Sequence, residues 1–228
     1  MPQQYHAGVD VGSVSVNVVL IDEKGRVAEE RYLRHHGQPM RVTADALWEL
    51  LGRYGPEAVT GLAATGAGGK IVASTLNGAF VNEVVAQATA TGALYPQVRT
   101  VIEIGGEDSK LIFLQRGPDG TVEIGDFAMN AMCAAGTGSF RDQQASRLGL
   151  SIEEFGQLAL KSEHPPRVAG RCSVFAKSDM IHLQQEATPI HDIVAGLCYA
   201  LARNFKSTVG SSAPLEPPVS FQGGVAAN

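Results

Sequence analysis

Residues Tyr5–Val11 and Ser15–Ile21 carry apolar, largely β-branched side chains at the two-residue period of a half-buried strand. Asp22-Glu-Lys-Gly25 gives them an exit turn and Arg26–Leu33 a third strand, so the pattern predicts an antiparallel meander at the N-terminus. A helical period follows: Thr43 caps a predicted helix running to Tyr54, with Leu47, Leu50 and Leu51 on one face. Val59–Ala64 reads as another strand, and Thr65-Gly-Ala-Gly-Gly69 after it as a flexible connection, because the Gly-Lys-Ser/Thr ending of a P-loop is missing. Asn82–Leu94 is helical in pattern and Tyr95-Pro96 ends it.

Near Arg99 the strand pattern returns. Gly8-Val-Asp-Val-Gly-Ser-Val-Ser-Val-Asn-Val-Val-Leu20 recurs in outline as Val101-Ile-Glu-Ile-Gly-Gly-Glu-Asp-Ser-Lys-Leu-Ile-Phe113, and Asp10 matches Glu103 after a shift of 93 residues (103 − 10). Each copy is an apolar strand ending in an acid, a glycine turn rich in small polar residues, and a second β-branched strand. Backbone N–H groups at such a turn are placed to hold an anion. The boundary between the copies predicts two domains, 1–97 and 98–228. Later elements are a strand at Thr121–Phe127, helices starting after Gly138, at the capping box Ser151-Ile-Glu-Glu154, after Cys172 and at Pro189, and a buried strand at Pro217–Phe221. Ile190, Ile193, Val194, Leu197, Leu201 and Phe205 line one face of the Pro189 helix. The chain then reaches Gln222-Gly-Gly-Val-Ala-Ala-Asn228, where a sheet of this kind calls for a covering helix, so the last elements of the fold are expected to be missing.

Composition narrows the function classes. With 228 residues and 44% apolar content the chain has enough material for a real core. Against 23 acidic residues stand 18 basic ones, a net charge of −5, and no stretch concentrates Lys and Arg as nucleic-acid binding requires. No run approaches the ~20 apolar residues of a membrane span and no signal layout opens the chain, so a cytoplasmic protein without a membrane partner is expected. The three cysteines, Cys133, Cys172 and Cys198, are odd in number and far apart, which argues against a disulfide framework. The acids Asp10 and Glu103, each before a glycine turn, suit a hydrated Mg²⁺ or a water near a terminal phosphate. Two matched acids, two glycine turns and a third pair, Gly223-Gly224, make nucleotide binding the best account of the pattern.

Gly8–Leu20, Val101–Phe113 and Gly223–Asn228 resemble the phosphate-1, phosphate-2 and adenosine elements of the actin, hexokinase and sugar-kinase superfamily. Within it, Met129-Asn-Ala-Met-Cys-Ala-Ala-Gly-Thr-Gly-Ser-Phe140 and Arg171-Cys-Ser-Val-Phe-Ala-Lys-Ser-Asp179 are similar to the ATP-dependent activators of 2-hydroxyacyl-CoA dehydratases and the related benzoyl-CoA reductase ATPase subunits. The resemblance implies an α/β, actin-like ATPase fold with two ribonuclease H-like halves around a nucleotide cleft, and ATP or ADP with Mg²⁺ as ligands. Gly12, Ser13, Ser15, Gly105, Gly106, Asp108, Gly136, Thr137, Gly138, Gly223, Gly224, Val225 and Asn228 would hold the nucleotide, with Asp10, Glu103 and Glu107 as catalytic acids. Cys133 and Cys172 match positions that ligate a [4Fe–4S] cluster bridging a homodimer. Both are placed just before predicted helices, and a cluster takes four thiolates where one chain supplies two. The partners implied are a second copy, a ferredoxin or flavodoxin donor, and a dehydratase or reductase as acceptor.

This chain departs from the family pattern at several points. Asp10-Val-Gly-Ser-Val14 and Asn17 stand where the activators carry Asp-x-Gly-Ser-Thr followed by a lysine, and Glu103-Ile-Gly-Gly-Glu-Asp108 replaces Asp-Ile-Gly-Gly-Gln-Asp. A hydroxyl and a cation are lost, Ser15 is the substitute hydroxyl, and Glu107 puts a negative charge where a neutral amide would orient water. Hydrolysis that is slower or differently arranged is expected. Cys198, the histidines (His35, His36, His164, His182 and His191) and Trp48 are expected to be packing or solvated residues, and Lys177 and Asp179 to face solvent. On the residues alone, a small-molecule kinase of the same superfamily and a non-catalytic nucleotide-binding assembly or sensor protein remain open.

Overall fold

The computed structural model describes residues 3–130, 136–210 and 214–227 of the chain. They form two compact units, residues 1–90 and 91–228, each a mixed α/β structure around its own sheet.

In the first unit β1 (Tyr5–Val11), β2 (Ser15–Asp22) and β3 (Val27–Arg34) make the predicted antiparallel meander, and β4 (Val59–Thr65) and β5 (Ala79–Phe80) extend it in the order β3-β2-β1-β4-β5. β4 lies parallel to β1, which a strand–helix–strand crossover allows. Strict alternation sends Ala7, Val9, Val11, Val16, Val18 and Leu20 into the core against Ala46 and Leu50 of α1 (Pro39–Tyr54) and Val72 of α2 (Gly69–Thr75). The same alternation turns Asp10 and Asn17, which are register partners, to the opposite face.

α1 begins at Pro39 rather than at Thr43. Proline supplies a ready-made first helical φ, and Thr43 is a buried interior residue whose hydroxyl donates back to the Pro39 carbonyl at 2.8 Å, so it is not a cap. The Thr65–Gly69 stretch is likewise more than a connection: its last glycine opens α2, one turn of which is hidden from pattern reading by the helix's seven-residue length. Trp48 is 75% exposed on α1.

The second unit repeats the plan. After α3 (Glu83–Leu94), β6 (Thr100–Ile104), β7 (Ser109–Arg116) and β8 (Val122–Asn130) form an antiparallel meander, and β9 (Val219–Gln222) lies parallel to β6, giving the order β8-β7-β6-β9. α4 (Gly138–Arg147), α5 (Ile152–Ala159), α6 (Ser173–Gln185) and α7 (Ile190–Thr208) supply Phe140, Phe155, Ala176, Met180, Ile193 and Leu197 to one core with Ile104, Leu111 and Phe113. The capping box forms as predicted, with Glu154 N–H donating to Ser151 Oγ at 3.1 Å and Ser151 N–H to the Glu154 carboxylate at 2.8 Å. β9 is not the buried strand the sequence suggested: Val219 and Phe221 are 42% and 52% exposed, because β9 lies at the sheet edge with β6 as its only partner among the described residues. Cys198 packs partly buried against the core, and burial raises its thiol pKa. Asp179 does not face solvent freely, since it accepts a hydrogen bond from Ala169 N–H at 2.8 Å, while Lys177 is exposed. No helix among the described residues is long and apolar enough to cross a membrane.

Candidate nucleotide site

The first glycine turn is closed by Gly12 N–H donating to the Ser15 carbonyl at 3.0 Å, so the strand direction reverses with Ser13 exposed at the tip. Asp10, next to the end of β1, is half-buried and accepts a hydrogen bond from Asn17 Nδ2 at 3.1 Å. Asn17 therefore spans the hairpin where the family's lysine would, and it brings an amide dipole instead of a charge.

A residue that sequence reading passed over braces this turn. His35, 7% exposed just beyond β3, has Nε2 3.2 Å from the Gly12 carbonyl oxygen and Nδ1 3.1 Å from Gly37 N–H. Because Nδ1 accepts from the amide, the neutral ring carries its proton on Nε2 and donates to Gly12. Its own N–H donates to the Val14 carbonyl at 3.2 Å, so one residue holds both sides of the turn. Local sequence gave no sign of this, for the contact joins residues 23 apart.

The second turn repeats the first at the same 93-residue shift (105 − 12 and 108 − 15): Gly105 N–H donates to the Asp108 carbonyl at 3.0 Å. Here β6 and β7 are buried on both faces, and Glu103 and Lys110, again register partners, are 6% and 1% exposed. Charges so deep must be paired. Lys110 Nζ lies 2.8 Å from Glu103 Oε2 and 2.7 Å from Asp108 Oδ1. Burial works against the ammonium, but the Glu103 charge and the Asp108 hydrogen bond outweigh it and raise the lysine above its ordinary value. Lys110 stands at the position of Asn17 shifted by 93 (110 − 17), so the cation missing from the first hairpin is present in the second. Glu107 is exposed on the turn.

α4 ties these pieces to one another. From its first turn Gly138 N–H donates to the Gly105 carbonyl at 2.7 Å and Ser139 N–H to the Gly106 carbonyl at 2.8 Å. Arg141, 9% exposed one turn on, donates from Nη2 to the Gly224 carbonyl at 3.4 Å. A β-carbon on Gly138 would lie 3.0 Å from the Gly105 carbonyl oxygen and 3.5 Å from Val225 Cγ2, so a side chain there would press on the turn that the helix start holds. Thr137 is the fully buried N-cap of this helix, and Gly136 sits 2.5 Å, as measured from an added β-carbon, from Asn204 Oδ1 of α7. The structure thus brings Gly105, Gly106, Asp108, Gly136, Thr137, Gly138, Gly223, Gly224 and Val225 around one helix start, with Glu103 beneath the turn.

Of the cysteines, Cys172 is the half-buried N-cap of α6, as the helix-start reading requires. Cys133 and Asn228 lie outside the described residues. No cluster of three or more His, Cys, Asp or Glu side chains with metal-binding geometry occurs among the described residues.

Comparison with known proteins decides the family, since residues 7–228 match the BadF/BadG/BcrA/BcrD ATPase family. The chain belongs to it. The chain is 32% identical over 229 residues to the 2-hydroxyisocaproyl-CoA dehydratase activator of Clostridioides difficile, covering 98% of this chain and 82% of the relative. Its fold matches the crystal structure of (R)-2-hydroxyglutaryl-CoA dehydratase component A of Acidaminococcus fermentans with a TM-score of 0.88 and 28% identity, over 98% of this chain and 84% of that one. It also matches the activator of the 2-hydroxyisocaproyl-CoA dehydratase from Clostridium difficile, solved with bound ADPNP, with a TM-score of 0.85 and 29% identity over 99% and 82% of the two chains. The actin-like ATPase fold implied by the resemblance is therefore the fold of this family member.

Proposed function

We propose that this ATPase-family chain is an activator that uses ATP to deliver a low-potential electron to a CoA-ester dehydratase or reductase. The observation that carries the reading is the anchoring of α4. This helix starts five residues after Cys133 (138 − 133), and its first N–H groups and Arg141 hold the carbonyls of both glycine turns of the second unit. A change in either turn on binding or losing a terminal phosphate is passed to α4 through these bonds, and so to the chain beside Cys133.

In this reading Gly12, Ser13 and Ser15 hold phosphate from the first turn, and Gly105, Gly106 and Asp108 from the second. Gly223, Gly224, Val225 and Asn228 serve the adenosine end. Asp10, half-buried beside a neutral amide, has the chemistry to hold a hydrated Mg²⁺, and Glu107, exposed on the second turn, would orient the attacking water. Glu103 is bound to Lys110, so its part is to fix the turn and the placement of Asp108. Cys172, an N-cap with part of its surface open, suits thiolate ligation, and Cys133 is its assigned companion. Bound by these two and their equivalents from a second copy, a [4Fe–4S] cluster would supply one-electron chemistry at low potential. A ferredoxin or flavodoxin is the donor of matching chemistry, and the compartment is the cytoplasm.

The test is anaerobic reconstitution with iron and sulfide, followed by the visible spectrum before and after reduction. The wild type is expected to gain an absorption that bleaches on reduction and to run as a dimer, and Cys133→Ala and Cys172→Ala are expected to lose both. A colourless wild type that still hydrolyses ATP would leave a nucleotide-binding protein and refute electron transfer.

A further inference from the structure

Each strand-end acid is approached from the parallel strand beside it. β4 places Thr65 opposite Asp10, and β9 places Gln222 opposite Glu103. The next residue is glycine in both, Gly66 and Gly223, with φ of +81° and +90°, in the left-handed region that side-chain-bearing residues avoid. A β-carbon on Gly66 would land on Asp10 Oδ1 and lie 2.6 Å from the Val11 carbonyl oxygen. One on Gly223 would land on the Ile104 carbonyl oxygen and lie 3.1 Å from Glu103 Oε1.

The likeness continues along both loops. Gly68 N–H donates to the Val11 carbonyl at 3.0 Å, and Val225 N–H to the Ile104 carbonyl at 3.4 Å. Gly69 N–H donates to the Gly66 carbonyl and Ala226 N–H to the Gly223 carbonyl, each at 3.0 Å. Every one of these pairs is related by the same shift of 157 residues (223 − 66, 225 − 68, 226 − 69). The chain therefore carries a second internal match, joined to the 93-residue one: Val11 follows Asp10 as Ile104 follows Glu103.

We propose that Gly66 is a positioning residue of the nucleotide site, setting the place of the Asp10 carboxylate as Gly223 does for Glu103. Two constraints meet at Gly66, a backbone twist and a space already filled by the acid and the carbonyl after it. Any side chain there displaces the carboxylate from its bond to Asn17 and from where a metal-bound water would meet it. The inference rests on the ATPase reading above for its effect on turnover, while the geometric link between Gly66 and Asp10 stands apart from it.

The experiment compares Gly66→Ala with Gly25→Ala, because Gly25 shares the left-handed backbone at φ +74° yet has nothing within 4 Å of an added β-carbon. Gly66→Ala is expected to lower ATP turnover by on the order of tenfold to a hundredfold, as a displacement of about 1 Å does, and to raise the Mg²⁺ concentration giving half the maximal rate. Gly25→Ala should leave both within about twofold, the signature of strain alone. In an Asp10→Ala background the added Gly66→Ala should cost about twofold at most. In the nucleotide-free protein the Asp10 carboxyl-carbon resonance, assigned by its loss in Asp10→Asn, should shift in Gly66→Ala and stay put in Gly25→Ala. An unmoved Asp10 resonance, equal losses in the two alanine variants, or an undiminished Gly66→Ala effect without the Asp10 carboxylate would each overturn the proposal. If Gly66→Ala does not fold at ordinary temperature, stability in a stabilising co-solvent decides: the backbone twist and the Val11 carbonyl contact are common to both variants, so Asp10→Gly/Gly66→Ala more stable than Gly66→Ala supports the proposal, and one no more stable sinks it. A wild type without ATP turnover refutes the ATPase reading and leaves the Asp10 resonance to judge Gly66.

Discussion

Replacing Lys110 by methionine should destabilise the second unit far more than its single charge suggests. Lys110 is 1% exposed, and it supplies a counter-charge to buried Glu103 at 2.8 Å and to Asp108 at 2.7 Å. At an effective dielectric of about 20, charges this close attract by about 6 kcal/mol, and desolvation of several kcal/mol per ion cancels much of that. The intact cluster is thus close to neutral against an apolar substitute, but Lys110→Met leaves Glu103 buried without its counter-charge, which costs about 3–5 kcal/mol. Asp108, whose side chain is 25% exposed, can turn to water and holds the effect to the lower part of that range. The lysine's raised pKa means that the wild-type contribution is complete below its ordinary value of 10.5 and is lost only as pH climbs beyond it toward the folded value. In Lys110→Met the dependence is expected to reverse, because a buried carboxylate deprived of the lysine charge is relieved when acidification neutralises it. Urea unfolding followed by circular dichroism at neutral and mildly acidic pH is the assay. The expected result is a deficit at neutral pH that shrinks on acidification and is largely relieved in Lys110→Met/Glu103→Gln. A loss below about 1 kcal/mol, or one that stays constant with pH, would refute the account of a desolvated pair.

His35→Ala removes the donor to Gly12 and the acceptor for Gly37, and should cost about 1–3 kcal/mol and raise the ATP concentration needed for half-saturation, with His35→Gln restoring part of both. Unfolding and nucleotide titrations read the two effects. Asp192 accepts from Ser162 Oγ at 2.6 Å and from His164 N–H at 3.1 Å, and the Ser162 hydroxyl is the chief cause of its lowered pKa. Its contribution is complete above the ordinary carboxylate value of 3.8 and is lost as pH falls through the lowered folded value, so the urea-midpoint difference between wild type and Asp192→Asn should be full at pH 7 and shrink only in acid below that ordinary value. Ser151→Ala breaks the capping box of α5 and should cost about 1 kcal/mol, seen as a drop of about 2–4 °C in the unfolding midpoint.

The meander strands, α3, α7 and the capping box were legible because each is written in local periodicity or in a cap a few residues long. The start of α1 was misplaced because Thr43 has the chemistry of a cap, and only the Pro39 carbonyl four residues back shows what its hydroxyl does. β9 misled because Val219 and Phe221 carry the composition of a core strand at a sheet edge. At the site, Asp10, Glu103 and the two turns announced themselves by repetition. His35, Arg141 and Gly66 did not, for their partners lie 23, 83 and 56 residues away (66 − 10 for the last) and no local rule links them. Lys110 stood in plain view within the second copy, yet its meaning needed the depth of β7.

The doubled plan of strands and turns carries two different electrostatic solutions at one place. The residue crossing each hairpin is an uncharged amide in one and an ammonium held by two carboxylates in the other. The two hairpins are therefore not interchangeable, and grafting one into the other's place would bring a mismatched charge with it.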